Sequence, residues 1–420
     1  DGFQVATLTT EYRSAAYTEL SKMQLKKQHA GQAYEYASRA LVYNGENITA
    51  LQLQYIAARL MGNKQTEEKV KREILQLDPL NHFIRFEAYW KNKNEATKHA
   101  FTSLIRDELP RQTYLDLASW YEQLNRPAET EAVLQAAPVK DDEILYWLAW
   151  LHRNEVDAPQ WLDAAVKGNA DMVFPFREAS APVMQWALHQ TGDWKPHYYL
   201  ALIESFHDHK ATALHLLEEI NTPVNFAQLY VTRARLRDST DMVNILNDLT
   251  TAENIDKKDW RYGKYLAQWL LSHQQYGQAL QVIEPCYKND PGNYITGMLY
   301  TRCLVMNDKY DAAEEILDHI HILPYEGATD GHKLYEQTKL TRALQLLQQK
   351  QYPGALKKLS EAREWPERLG VGKPYPDMID DTLENGIAQL IRQAMQGGAV
   401  KERDLNAYRA KIAAISETKE

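Results

Sequence analysis

The chain has 420 residues, with 48 basic against 57 acidic side chains for a net charge of −9, and it carries only 18 glycines and two cysteines. So few glycines, beside a usual share of ~7%, argue against a turn-rich all-β chain or a nucleotide fold built on glycine loops. Mild acidity without a concentrated basic face argues against a nucleic-acid partner, because phosphate neutralisation supplies most of that affinity.

Two cysteines cannot make a disulfide framework, and no Cys/His cluster shows zinc spacing, so no metal and no cofactor is expected. No apolar run reaches the ~18 residues that a bilayer span needs, so the chain reads as soluble with no membrane partner. The first residue is Asp1 and the first methionine is Met23, which reads either as a trimmed leader or as the later part of something longer.

A period of 34 residues organises the chain. Asn44-Gly45-Glu46-Asn47 is answered by Asp78-Pro79-Leu80-Asn81, and Gln275-Tyr276-Gly277-Gln278-Ala279 by Lys309-Tyr310-Asp311-Ala312-Ala313, each pair 34 residues apart. Lys350-Gln351-Tyr352-Pro353-Gly354-Ala355 gives the second phrase again. Helical hairpins are predicted over 12–43, 48–77, 82–106, 111–137 and 142–167. They continue over 178–191 with 194–220, then 225–250, 256–289, 293–321 and 330–364, before a helical tail at 377–417.

Within one unit, Leu266, Ala267 and Leu270 recur at helical spacing, and Ala279, Ile283 and Cys286 form a second stripe that stops at Asp290-Pro291. Pro291 lacks an amide hydrogen and disfavours helix before it, so it ends the second helix. Ala267 and Ala279 sit at the expected crossing, where small side chains let helix axes approach to ~8–10 Å. Cys286 and Cys303 take positions suited to small buried hydrophobes, not to a nucleophile.

This phrase resembles the tetratricopeptide repeat, with Leu then Gly/Ala in the first helix, Ala early in the second and Pro at the exit. The resemblance implies an all-α chain, a superhelical array of antiparallel hairpins forming a tetratricopeptide-like α/α solenoid. The expected organisation is N-terminal repeats over 1–170, C-terminal repeats with long inter-repeat loops over 171–376, and a helical tail over 377–420. Gln54 and Glu67 depart from the pattern, standing where apolar residues and Ala are preferred.

Three stretches are not ordinary repeat turns: 172–178, 321–331 and 364–375. Phe174-Pro175-Phe176-Arg177-Glu178, Trp194-Lys195-Pro196 with Tyr198-Tyr199-Leu200-Ala201-Leu202, Leu323-Pro324 with Glu326-Gly327-Ala328-Thr329, and Glu364-Trp365-Pro366-Glu367 with Leu369-Gly370-Val371-Gly372-Lys373-Pro374 carry a second resemblance. They are similar to the C-terminal half of a large bacterial family in which a β-sandwich domain of unknown function precedes the repeats. That resemblance implies a bacterial cytoplasmic or periplasmic protein whose sandwich domain lies outside this chain.

Long loops on a rigid scaffold carry binding groups. The candidate binding residues are therefore Arg177, Trp194, Lys195, Tyr198, Glu326, Trp365, Glu367, Lys373 and Tyr375. Gly370-Val371-Gly372-Lys373-Pro374 fails as a phosphate loop, since no glycine stands five positions before Gly372 and Pro374 replaces the magnesium ligand. Acid pairs such as Glu314-Glu315, Glu218-Glu219 and Asp380-Asp381 diverge on a helix and read as solvated faces. The expected function is a non-catalytic scaffold that binds a protein or peptide, including its own N-terminal domain, through a concave face and these loops. The alternative is an accessory domain completing a carbohydrate-processing active site, with Trp365 or Trp194 stacking on sugar and Glu364 or Glu367 supplying a carboxylate.

Overall fold

The computed structural model describes residues 2–106, 108–324 and 330–415. Among them are twenty-four α-helices and no strand. The chain forms two compact units, Asp1–Val224 and Asn225–Glu420. In the first, the hairpins run from Arg13–Lys26 with Ala30–Tyr43 to Lys195–Phe206 with Lys210–Glu218. In the second they run from Ala227–Leu236 with Met242–Ile255 to Thr382–Met395 with Glu402–Ala414.

The repeated turn has one local cause. Where the first helix of a hairpin ends, one residue enters the left-handed region: Gln28, Gly62, Asn125, Asp208, Gln274, Asp308 and Lys350, with φ between 56° and 72°. The residue after it donates its amide back into the last helical turn, as Gln275 does to Leu270 O at 2.9 Å and Lys309 to Leu304 O at 2.9 Å. This satisfies carbonyls that the helix end would leave bare, and it starts the second helix antiparallel to the first. At the other end of the unit, Asn47 and Asn81 cap the following helix, each side chain accepting the amide three residues on.

Packing follows the small residues. Ala33, Ala37, Ala40, Ala267, Ala279 and Ala313 have no exposed surface. Glycine allows still closer approach at 34-residue intervals: a Cβ on Gly263 would lie 2.4 Å from Cys286 Sγ, on Gly297 2.7 Å from Ile320 Cδ1, and on Gly331 2.6 Å from Leu369 O. Gln54 and Glu67, the departures from the repeat pattern, are buried and satisfied. Gln54 Nε2 donates to Ser38 Oγ at 2.9 Å, and Lys91 reaches Glu67 at 3.1 Å. Cys303 is fully buried, and burial pushes its thiol up to about 12, consistent with a packing role.

Charged residues also enter the packing. Lys339, 2% exposed, lies within 3.2 Å of Glu314, 3.4 Å of Asp318 and 3.1 Å of Glu361. Glu314 is therefore interior and not part of a solvated acidic face, because Lys339 and Lys358 come to it from the next hairpin. Arg59 bridges Glu87 at 3.1 Å and Glu129 at 2.7 Å, while Tyr121 donates to Glu87 at 2.7 Å.

Candidate functional site

In the first unit the loop 172–178 is held from inside. Residues alternate along it: Val173, Pro175 and Arg177 are buried, while Met172, Phe174 and Phe176 face solvent. Arg177 donates to Asp116 Oδ1 at 2.7 Å, to Gln112 Oε1 at 2.5 Å and to the Gln112 carbonyl at 3.1 Å. Its guanidinium also sits 4.4 Å from the Phe176 ring centre, and Phe206 packs on Phe176 at 5.2 Å. The result is an outward apolar patch on a fixed loop.

Lys195 is 3% exposed and fully used, donating to Asp142 Oδ2 at 2.9 Å and to the carbonyls of Ala165 and Gly168 at 2.7 and 2.8 Å. Tyr199 donates to the same Asp142 oxygen at 2.9 Å. Tyr198 is completely buried beneath the half-buried Trp194, with ring centres 5.8 Å apart. These side chains fix the start of the helix Lys195–Phe206.

In the second unit Trp365 stacks on His332. Glu367 opens a single 3-10 turn, Glu367–Leu369, closed by Gly370 at φ +69°, whose amide donates to Glu367 O at 3.0 Å. The left-handed backbone explains the glycine. Arg368 anchors the turn, accepting Ile322 N at its carbonyl (2.8 Å) and donating from Nε to Leu317 O at 3.1 Å. Glu367, Lys373 and Tyr375 are exposed. Glu326 lies outside the described residues.

Two cavities lie in the second unit. One, of about 460 Å³, is floored by Val231, Ile245, Leu249, Tyr265 and Trp269. The other, of about 290 Å³, lies between Tyr294, Met298 and Arg302 and the loop residues Ile322 and Leu369. Gln268 borders both. Arg235 covers the Tyr265 ring at 4.5 Å and Lys264 covers it at 4.4 Å. Among the described residues, no carboxylate lies within ion-pair distance of Arg235, Lys264 or Arg302, unlike the paired Arg233 and Arg237 nearby. Among the described residues, none of the candidate binding residues lines either cavity: the loops reach the second through Ile322 and Leu369, and the aromatics of the first, Tyr265 and Trp269, sit on the helix Trp260–Ser272.

Two buried carboxylic acids, Glu87 and Glu143, and the half-buried Glu336 titrate high. Burial pushes Glu87, Glu143 and Glu336 each up to about 7, with Glu384 adding to the effect on Glu336. All three lie within helix packing, and none lines either cavity.

Residues 270–321 match the tetratricopeptide repeat family. No curated protein matches the chain. Among solved structures, the chain is similar to the C-terminal part of a TPR repeat-containing protein from Cytophaga hutchinsonii, at 10% identity over 61% of this chain and 98% of that one, with a TM-score of 0.36. It is similar to yeast Tom70 at 13% identity, over 96% of this chain and 85% of that one, with a TM-score of 0.28. It is also similar to the yeast Sti1 TPR2AB domain in its complex with pHSP90, at 13% identity over 70% and 99% of the two chains, with a TM-score of 0.21. The segment 270–321 is thus tetratricopeptide repeat, and helical hairpins continue on both sides of it.

Proposed function

We propose that the chain is a non-catalytic scaffold that docks a protein segment, including a neighbouring domain of its own parent protein, along the two cavities of its second unit. The observation that carries this is a pair of cavities that share Gln268, with an apolar floor and with Arg235 in one lining and Arg302, beside Asp330, in the other, neither cation within ion-pair distance of a carboxylate among the described residues. Such a groove suits a segment bearing aliphatic or aromatic anchors flanked by carboxylates. Desolvated anchors supply most of the binding energy, and the rim charges supply orientation and speed of encounter.

The loop candidates divide by role in this reading. In the first unit Arg177, Lys195 and Tyr198 hold their loops by burial, while in the second unit Trp365, Glu367, Lys373 and Tyr375 present surface to the partner. Carbohydrate chemistry is less well supported, since one face of Trp365 is covered by His332 and the high-titrating acids lie away from the cavities.

The test is selection of a random peptide library against the purified chain, followed by affinity measurement on the enriched peptides. Enriched sequences should combine apolar anchors with acidic residues, and Gln268→Trp or Arg235→Glu with Arg302→Glu should each weaken them at least about tenfold. Peptides that bind equally well to both variants would place docking elsewhere.

A further inference from the structure

The connection between the helices Asp142–Leu151 and Ala158–Lys167 folds three ligand-type side chains onto one point. His152 caps the first helix, its amide bonded to Leu148 O at 3.1 Å, and it is 8% exposed. Glu155 N donates to His152 O at 2.7 Å, turning the chain back toward the imidazole. Asp157 stands at the N-cap of the next helix, yet its side chain makes no capping bond there. It turns to His152, although an Asp in that position ordinarily accepts an amide of the first turn.

The imidazole is crowded by more acceptors than it can serve. Nδ1 lies 2.9 Å from Glu155 Oε2 and 3.1 Å from Asp157 Oδ1, and Nε2 faces Glu131 Oε1 at 3.2 Å. A ring nitrogen carries at most one proton, so one of the two oxygens at Nδ1 has no hydrogen to receive. Among the described residues no Lys or Arg lies within ion-pair distance of Glu131, Glu155 or Asp157. Three carboxylates around one imidazole are therefore left with net negative charge even when the ring is protonated.

We propose that His152, Glu155 and Asp157 form a binding site for a divalent transition metal, with Glu131 orienting the imidazole from its far side. The three ligand atoms lie within 4.8 Å of one another. Zinc bonded at ~2.0–2.2 Å to nitrogen and oxygen sets neighbouring ligands roughly 3.3 Å apart, so small side-chain rotations open the cluster around the ion. One nitrogen and two carboxylate oxygens suit zinc and its first-row neighbours better than calcium or magnesium, which take oxygen throughout. Glu131 Oε1, which accepts from Gln135 Nε2 at 2.6 Å, lies 3.2 Å from the buried and otherwise unbonded His152 Nε2, so a small rotation would let it act as an outer carboxylate does in metal sites and select the tautomer that leaves Nδ1 free to bind. Glu155 and Asp157 are 63% and 43% exposed, so the ion has an open path and keeps water at its remaining positions. A bound ion would cross-link the connection 152–157 to itself.

Calorimetric titration of the chelator-treated full chain with zinc chloride alone, near neutral pH, tests the site. One equivalent should bind. Asp157→Asn and Glu155→Gln should each weaken it at least about tenfold, and Glu131→Gln by a similar factor, without loss of helical circular dichroism. Nitrogen NMR of the imidazoles gives a second reading on the unaltered protein, in which the His152 Nδ1 resonance should shift on zinc addition while Nε2 keeps its proton. Absence of saturable binding overturns the proposal. So does binding that persists in the Glu155→Gln, Asp157→Asn double variant, which would put the ion on others of the 13 histidines.

Discussion

His332 and Trp365 lie face to face, ring centres 3.4 Å apart and planes 8° from parallel. The imidazole Nε2 donates to Glu364 O at 3.1 Å, so one histidine fixes both the ring and the backbone of the 364–370 loop. Burial pushes His332 down to about 4, below its ordinary value of ~6.5. The unfolded chain then takes up a proton before the folded chain does. The stabilisation is complete above ~6.5 and is lost as pH falls through about 4. His332→Phe should remain within about 1.5 kcal/mol of the parent near pH 8 and lose less stability on acidification, as checked by urea melts across that range.

Glu336, one helical turn along from His332, acts in the opposite direction. Burial first, and then Glu384 and Asp381, raise it to about 7. The folded chain holds this proton when the unfolded chain has released it, so its stabilisation is present below ~4.3 and is lost as pH rises through about 7. Arg363 is the cation acting on Glu384 from the neighbouring connection. Glu336→Gln keeps the shape and cannot ionise. Melts of this variant should show a flatter loss of stability between pH 5 and 8 than the parent, by up to about 1 kcal/mol per pH unit at the steepest point.

Lys195 and Lys373 belong to two phrases of the same sequence resemblance, yet their surroundings differ completely. Lys195 meets Asp142 at 2.9 Å with 3% and 1% of the two side chains exposed, whereas Lys373 is exposed. Lys195→Met leaves an uncompensated buried carboxylate and should cost about 3–5 kcal/mol. Lys373→Ala should change stability by no more than about 0.5 kcal/mol. Denaturant midpoints would show whether the order holds.

How much of this is legible in the sequence depends on range. The hairpins at 256–289 and 293–321 are readable because Leu266, Ala279 and Pro291 encode helix faces and stops within one unit. The turn residues are not, because the left-handed position is filled by Gln274, Asp308 or Lys350, which carry no glycine signal. Lys195 reads as a binding group because its carboxylate partner stands 53 residues away, and nothing local records that pairing. His152 carries no paired-histidine signal, since its partners are carboxylates three and five residues on. The glycines at 263, 297 and 331 do carry a usable signal, a 34-residue spacing, hidden behind the more frequent alanines.

Those glycines give the sharpest test of the packing. Gly263 lies in the interior of the helix Trp260–Ser272, where Ala would ordinarily be favoured by about 1 kcal/mol. Here the added Cβ would stand 2.4 Å from Cys286 Sγ, so the neighbouring helix must shift or the sulfur must rotate away from Val282 O, which it approaches at 3.4 Å. Gly263→Ala should therefore destabilise the chain by about 1–3 kcal/mol despite the better helix former. Cys286→Ala removes the obstructing atom at a cost of about 1 kcal/mol as a single change. In the double variant the methyl introduced by Gly263→Ala fills the space that the sulfur left. The two costs should then not add, and stability should return to within about 1 kcal/mol of the parent. A thermodynamic cycle of urea melts measures that coupling directly. Purely additive losses would mean that the helices do not cross at this pair, and the 34-residue glycine spacing would then have no packing role.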